Sequence, residues 1–198
     1  MTQNSTTNHS KLTVTDDYHS DLVDEGQASL VGQQMSKQAE DNHNGDGKSD
    51  DNFHELAQKM ATLFASMPFL QFMNVSVSVD DKGRVRCELD NRAELIGNPM
   101  AQILHGGVTA SLLDTIGGLV AMIAVGENLD FTDPDQTKRF SQFATLDMRV
   151  DYLKPGRGER FIATGEVVRI GRKSCTTRMT LTNDKDELIA IGTGSYVY

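Results

Sequence analysis

The 198-residue sequence has no tryptophan and only two cysteines, and both shortages restrict its chemistry. Cys87 and Cys175 stand alone in strand-like segments, without the spacing of a metal site, so we expect two buried thiols. An acidic chain with few aromatic residues is unlike a nucleic-acid-binding protein, whose surface is basic. We therefore expect neither a bound metal nor a nucleic-acid partner.

The sequence also has little that points to a membrane. No uninterrupted apolar run approaches the roughly 20 residues that a spanning helix needs. The amino-terminal segment lacks the basic start and the apolar stretch of a secretory signal. We expect no membrane span and a cytoplasmic location.

The net charge of −9 is unevenly distributed along the chain. Residues 1–52 contain ten Asp or Glu and three Lys, a net of −7, so the remainder has 18 acids, 16 bases and a net of −2. Residues 1–52 are also polar and aperiodic, and such a composition cannot offset its ordering entropy. We predict a disordered acidic tail over residues 1–52, with a transient helix near residues 29–39, and one folded domain over residues 53–198.

From residue 53 the pattern is that of an α+β domain. Apolar residues spaced by three and four predict an amphipathic helix that ends near Pro68. Two strands joined by a turn at residues 80–83 follow, and then a strongly apolar helix over residues 109–125. Beyond a polar loop at residues 126–142 we predict four more strands, at about 143–153, 159–170, 174–183 and 187–197. A helix this apolar must be covered on nearly all sides, so the antiparallel sheet wraps around it, a second subunit covers it, or both.

The segment that opens the apolar helix carries the clearest chemical motif. Residues 94–118 read ELIGNPMAQILHGGVTASLLDTIGG, with His105-Gly106-Gly107 nine positions before Asp114, and residues 145–158 read TLDMRVDYLKPGRG. These segments resemble the hotdog-fold acyl-CoA thioesterases of the phenylacetate-pathway branch, particularly those that act on medium and long chains. The resemblance covers about residues 55–198. It implies an α+β hotdog fold, hydrolysis of acyl-CoA to free acid and coenzyme A, no cofactor besides the coenzyme A of the substrate, and a homodimer or tetramer.

The residue chemistry agrees with this resemblance. Gly106 and Gly107 open a helix, where free backbone N–H groups and the positive end of the helix dipole suit a developing oxyanion. Asp114 lies in an apolar helix, where a carboxylate is costly to bury unless it is used or paired. We predict Gly106 as oxyanion donor and Asp114 as either general base or nucleophile. The alternatives are glycines that only allow a tight turn, and an Asp114 that faces solvent beside Ser111 and Thr115.

The helix geometry separates the two halves of this site. Nine helical residues at about 100° each place His105 and Asp114 on opposite sides of one helix. A two-fold dimer could bring Asp114 of one subunit towards Gly106 of the other. The resemblance implies the same arrangement, with two composite sites in each dimer.

Supporting residues follow from the resemblance. His105 orders the loop or positions the thioester, and Thr145 matches a Ser or Thr that holds the water, an ordinary strand threonine being the alternative. Relatives often carry Asn or Gln six residues before the histidine. That position is Pro99 here, which leaves Asn98, one residue earlier, or Gln102 to reach the site.

The phosphates of coenzyme A should meet cationic side chains. Arg169, Arg172 and Lys173 cluster at one strand turn, and we predict that they bind substrate together with Gly107. Lys154 and Arg157 at another turn are the second candidates, and solvated turn charges are the alternative for both groups.

Two other functions fit the same fold. A hydroxyacyl-thioester dehydratase would need a different helix-borne pairing of histidine and acid, which the sequence lacks. A non-catalytic acyl-CoA sensor usually requires an attached effector domain, and residues 1–52 show no folded DNA-binding pattern.

Overall fold

A computed structural model describes residues 49–198. The helices are α1 (Ser49–Ala65), α2 (Pro68–Met73), α3 (Gly106–Gly126) and α4 (Pro134–Ser141). The strands are β1 (Val75–Val79), β2 (Val85–Asp90), β3 (Ile96–Asn98), β4 (Ile103–Leu104), β5 (Ala144–Tyr152), β6 (Arg160–Ile170), β7 (Ser174–Asn183) and β8 (Leu188–Val197). One turn of 3-10 helix, Ala93–Leu95, lies between β2 and β3.

Six strands form one antiparallel sheet in the order β1-β2-β6-β7-β8-β5. Helix α3 packs against β2, β5, β6, β7 and β8, and α1 packs against β1 and α3. The short pair β3–β4 leads into α3. This is the α+β hotdog architecture, an antiparallel sheet around a long central helix with an additional amino-terminal helix, and it confirms the fold class.

The core lies between the sheet and α3. Leu112, Leu113, Ile116 and Leu119 of α3 are fully buried against the sheet. At about 25 cal/mol per Å² of apolar surface removed from water, such a face stabilises the fold far more than helix propensity does. Cys87 and Cys175 are both buried and unpaired, as predicted.

Helix α3 corrects the expectation about apolar runs. It spans 21 residues with Asp114 as its one charged residue, so its length and composition match those of a membrane span. Half of that apolar length is already buried inside the chain, where the helix packs on the sheet. Helix α3 is therefore the core helix of a folded domain.

The element bounds agree closely with the sequence pattern for the sheet and less well at the first helix. Helix α1 begins at Ser49, four residues before the predicted start at Phe53. Residues 1–48 of the predicted tail, including the transient helix expected near residues 29–39, lie outside the described residues. The tail and domain boundary therefore stay predictions.

The polar loop predicted at residues 126–142 was wrong in part. Its second half is helix α4, which starts where the Asp133 side chain accepts a hydrogen bond from the Asp135 N–H and Pro134 occupies the first turn. Proline is favoured there because its missing N–H would have no helical partner. Buried Phe140 anchors the helix edge-on to Phe131, with 5.3 Å between ring centroids.

Candidate active site

The carboxylate of Asp114 is held between α3 and the sheet. Thr145 on β5 donates its hydroxyl hydrogen to Asp114 Oδ1 across 3.0 Å. The Tyr196 hydroxyl on β8 lies 3.3 Å from the Asp114 backbone oxygen and 3.5 Å from Oδ1. Asp114 is half-buried rather than solvent-facing. Oδ2 accepts no hydrogen bond from residues 52–198, so this oxygen is available for chemistry.

A β-bulge in β5 aims Thr145 at Asp114. Thr145 pairs with Tyr196, whereas Asp147 pairs with Ser195, so Leu146 is an extra residue in β5. Residues that face each other across an antiparallel pair point to the same side of the sheet. Without the bulge, Leu146 would lie opposite Tyr196, and Thr145 would point away from the helix. Bulges of this kind often re-aim a side chain beside an active site.

The amino terminus of α3 offers one free amide. His105 is the N-cap residue, and its Nδ1 accepts a hydrogen bond of 2.9 Å from the Gly107 N–H. This bond requires an unprotonated Nδ1 and uses the Gly107 donor, so Gly107 could contribute space but not its N–H. The Gly106 N–H has no hydrogen-bond partner within residues 49–198. A free donor at a helix amino terminus suits an anionic oxygen.

Tyr152, at the carboxyl end of β5, fixes the same turn of the helix. Its hydroxyl donates to the Gly106 backbone oxygen across 2.9 Å. Strand β5 thus contacts α3 twice, near Asp114 through Thr145 and near Gly106 through Tyr152. Residues 106 and 114 are about 12 Å apart along the helix axis, and no hydrogen bond joins Asp114 to His105 in the described residues.

The side-chain amides of Asn98 and Gln102 form hydrogen bonds to the backbone of the loop before α3. Asn98 Oδ1 accepts hydrogen bonds from the backbone N–H groups of Met100 and Ala101, both at 3.1 Å. The Gln102 side chain donates to the Pro99 oxygen. The pairing of β3 with β4 has a register irregularity between residues 96 and 98. Neither amide contacts Asp114 or Gly106 through a hydrogen bond found in residues 52–198.

Gly97 packs tightly against His105, the N-cap residue of α3, and this close approach explains why a glycine stands at position 97. A Cβ at Gly97 would lie 2.7 Å from His105 Cα, so only glycine lets β3 pass this close. The His105 N–H donates to the Leu95 oxygen, and the Leu104 N–H donates to the Gly156 oxygen. These contacts fix the start of α3 against the turn that follows β5.

The two cationic groups lie at opposite ends of the sheet. Arg169, Arg172 and Lys173 are exposed around the β6–β7 turn, at the end where Thr145 meets Asp114. Arg139 of α4 joins this group, because its guanidinium donates to the Arg172 backbone oxygen. At the other end Lys154 lies 3.5 Å from Glu187, and Arg157 Nε donates to the Ala101 oxygen.

Comparison with known proteins identifies the family. The family model of the thioesterase superfamily matches residues 101–190. The medium/long-chain acyl-CoA thioesterase YigI of Escherichia coli K12 is 38% identical over 135 residues, which cover 66% of this chain and 85% of that protein. The chain belongs to the thioesterase superfamily. Its enzyme class is thioester hydrolase.

More distant members and solved structures agree. Human acyl-coenzyme A thioesterase 13 is 30% identical over 115 residues, which cover 56% of this chain and 69% of that protein. A Shewanella oneidensis protein related to the thioesterase superfamily is 37% identical, with a TM-score of 0.65 over 73% of this chain and 96% of that one. The Escherichia coli PaaI protein of the phenylacetic acid degradation operon has a TM-score of 0.57 over 73% of this chain and 94% of that one. At 18% identity it shows the shared fold alone.

Three contacts of this thioesterase were missed from sequence. Tyr196 is buried in the last strand, where nothing in the local pattern separates a core tyrosine from one that contacts Asp114. Arg139 was assigned to a loop, so its approach to Arg172 could not be foreseen. Tyr152 did stand in a recognised motif, immediately after Asp151, but its hydroxyl partner depends on the strand register.

Proposed function

We propose that this chain hydrolyses acyl-CoA thioesters, of medium to long acyl chain, to the free acid and coenzyme A. The observation that carries the proposal is the Asp114 carboxylate, held at Oδ1 by Thr145 on the central helix of a thioesterase fold. The relative YigI of Escherichia coli K12 acts, by its name, on medium- and long-chain acyl-CoA. The acyl-length preference of this chain is carried over from that relative.

The proposed reaction uses two groups of this chain. Asp114 either takes a proton from a water that attacks the thioester carbonyl carbon, or attacks that carbon itself. The carbonyl oxygen becomes negatively charged, and the free Gly106 N–H stabilises it at the positive end of α3.

When the tetrahedral intermediate collapses, the C–S bond breaks and coenzyme A leaves as a thiolate that takes up a proton. After attack by water this collapse gives the free acid directly. After direct attack it leaves an acyl–Asp114 anhydride, which a water molecule then hydrolyses to the free acid and the Asp114 carboxylate. His105 supports the turn, and Thr145 orients Asp114. Asn98 holds the loop before α3 through the N–H groups of Met100 and Ala101.

A second copy of the chain completes the site in this proposal. Strand β5 is an edge strand whose outer side has no strand partner in residues 49–198. Leu146 and Tyr152 in this strand are 61% and 56% exposed, and Leu153 directly after it is 50% exposed. A long edge with unpaired backbone groups and exposed apolar side chains favours pairing with another strand.

Two-fold pairing of β5 with its own copy would assemble the site. About an axis at Met148, antiparallel pairing sets Thr145 of one chain opposite Asp151 of the other, beside Tyr152. Thr145 holds Asp114 and Tyr152 holds Gly106 within each chain. The pairing therefore brings Asp114 of one subunit towards Gly106 of the other, twice in each dimer. A tetramer would be built from such dimers.

The coenzyme A phosphates would meet the exposed cations near the β6–β7 turn. Arg169, Arg172 and Lys173 lie at the end of the sheet that also carries Asp114, and Arg139 adds a fourth charge. Guanidinium groups suit phosphate oxygens because of their planar, multidentate donors. The residue without a side chain, Gly107, would leave space for the substrate beside the helix terminus.

A panel of acyl-CoA substrates tests the proposed function. Thiol release is measured with chains of 4 to about 18 carbons for the wild-type chain and for Asp114→Asn. We expect turnover of the longer chains and a loss of at least about 100-fold in Asp114→Asn. The control Asp81→Asn, at the exposed β1–β2 hairpin, should keep full activity. No turnover of any chain length, or unchanged turnover in Asp114→Asn, would reject the proposal.

The same panel separates the alternatives. Binding of acyl-CoA without turnover would favour a sensor, and loss of water from a hydroxyacyl thioester without thiol release would favour a dehydratase. Single turnover in isotopically labelled water separates the two roles of Asp114, because only direct attack transfers label into its carboxylate. We also propose that the enzyme acts in the cytoplasm, in fatty acid metabolism, and that it needs no cofactor. Its activity should therefore survive a metal chelator.

A further inference from the structure

Tyr196, next to the end of the last strand, is more buried than its hydroxyl group would favour. Tyr196 is 1% exposed, and its ring stacks on Phe143 with 6.1 Å between centroids. A buried phenol hydroxyl is costly unless it is hydrogen-bonded, whereas a phenylalanine would fill the same space without that cost. The hydroxyl therefore needs an explanation in its partners.

The partners of this hydroxyl are two oxygens of Asp114. Tyr196 donates towards the Asp114 backbone oxygen at 3.3 Å and towards Oδ1 at 3.5 Å. The nearby hydroxyl of Thr177, fully buried on β7, donates instead to Met179 Sδ across 3.1 Å. Both distances are long, so the hydroxyl is shared between two oxygens of one residue. Catalytic hydrogen bonds of this length often shorten when substrate binds.

The surrounding elements leave room for this hydroxyl and for little else. A Cβ at Gly117 of α3 would collide with the Tyr196 hydroxyl, and one at Gly194 of β8 would lie 2.8 Å from it. Burial and the charge of Asp114 raise the pKa of Tyr196, so the phenol stays protonated and keeps its donor. Helix and sheet are thus shaped around a neutral hydroxyl beside the carboxylate.

We propose that Tyr196 is a positioning residue for thioester hydrolysis, which rests on the function proposed above. Its hydroxyl holds Asp114 from the β8 side while Thr145 holds it from the β5 side. With both hydroxyls directed at Oδ1, the carboxylate cannot rotate freely, and Oδ2 keeps one orientation towards the substrate. Tyr196 itself does not contact the reacting atoms.

The test compares Tyr196 with Tyr198, because the rings of both tyrosines stack on Phe143. Tyr198 also stacks on Phe143, at 6.0 Å, but its hydroxyl donates to the Gly171 oxygen, away from Asp114. In the full-length chain, Tyr196→Phe should lower kcat for the best acyl-CoA substrate about tenfold, the effect of one hydrogen bond to a charged group. Its KM should stay within about twofold, because an interaction that acts on the chemical step leaves binding intact. Tyr198→Phe should change neither value.

A second measurement protects the test against misfolding. Thermal melting of every variant identifies a general loss of stability. The inference is overturned if Tyr196→Phe keeps the wild-type kcat, or if kcat falls equally in Tyr196→Phe and Tyr198→Phe. Absence of turnover in the wild-type chain would instead reject the proposed function itself.

Discussion

Thr145 and Asp114 are 31 residues apart in sequence and are joined by a hydrogen bond of 3.0 Å. The contact depends on the extra residue in β5, because a regular strand would turn the Thr145 side chain away from the helix. The edge strand β5 thereby supplies a hydrogen-bond donor to Asp114, the one charged residue of the central helix α3.

Removal of the Thr145 hydroxyl should weaken catalysis rather than binding. We expect Thr145→Val to lower kcat about tenfold, the loss of one charged hydrogen bond, with KM nearly unchanged. Thr145→Ser keeps the hydroxyl and should retain most of the activity. Steady-state thiol release measures both variants, and equal rates in Val and Ser variants would contradict a role for the hydroxyl.

Two substitutions at Gly106 separate its N–H from its small size. Proline suits the first turn of a helix, and His105 already has the extended backbone, ψ 134°, that proline favours in the preceding residue. Gly106→Pro should fold and lose about 100-fold in kcat, since the oxyanion donor is gone. Gly106→Ala keeps the donor, and its Cβ would have ordinary contact with Tyr152 at 3.5 Å. If alanine and proline reduce kcat equally, the N–H is not the donor.

Alkaline pH should destabilise the fold through Cys87. Burial raises the pKa of this thiol from 9.0 to about 12, so the folded state favours the protonated form. Its contribution is complete below pH 9 and is lost as pH rises towards 12, by about 1.4 kcal/mol at pH 10. Urea unfolding at several pH values should show this loss in the wild type and not in Cys87→Ala. Parallel pH curves for the two proteins would contradict the burial of the thiol.

Truncations on either side of residue 49 should differ sharply. Removal of residues 1–48 leaves α1 intact and should preserve activity and the midpoint of urea unfolding. Removal through residue 65 also deletes α1, whose buried Met60 and Phe64 pack into the core. That loss should destabilise the domain by on the order of 5 kcal/mol. If the shorter truncation alone abolished activity, residues 1–48 would have a role that their composition does not suggest.

The sheet was predictable because its signals are local. Alternating apolar residues and turn sequences give the five longest strands to within two residues, and the apolar period gives α3. Helix α4 was missed because its composition is polar, although Asp133 followed by Pro134 is a recognisable helix start. A capping residue counts for more than hydropathy in an exposed helix.

The site was only half predictable for a different reason. Gly106 and Asp114 could be named from a local motif, whereas the residues that hold them depend on strand pairing. Nothing in the local sequence marks Leu146 as the extra residue of a β-bulge. The hydrogen-bond partners of Tyr152 and Tyr196 depend on the strand register that this bulge sets. Register depends on the whole sheet, and one residue of slip reverses every side chain.

Subunit complementation tests the composite site most directly. Asp114→Asn and Gly106→Pro chains with different affinity tags are coexpressed, and the mixed dimer is purified through both tags. Each parent dimer should be nearly inactive. The mixed dimer should recover about half of the wild-type turnover, because one of its two sites combines an intact Asp114 with an intact Gly106 from the other subunit. A mixed dimer as inactive as its parents would show that both groups must come from the same chain, and it would contradict the account.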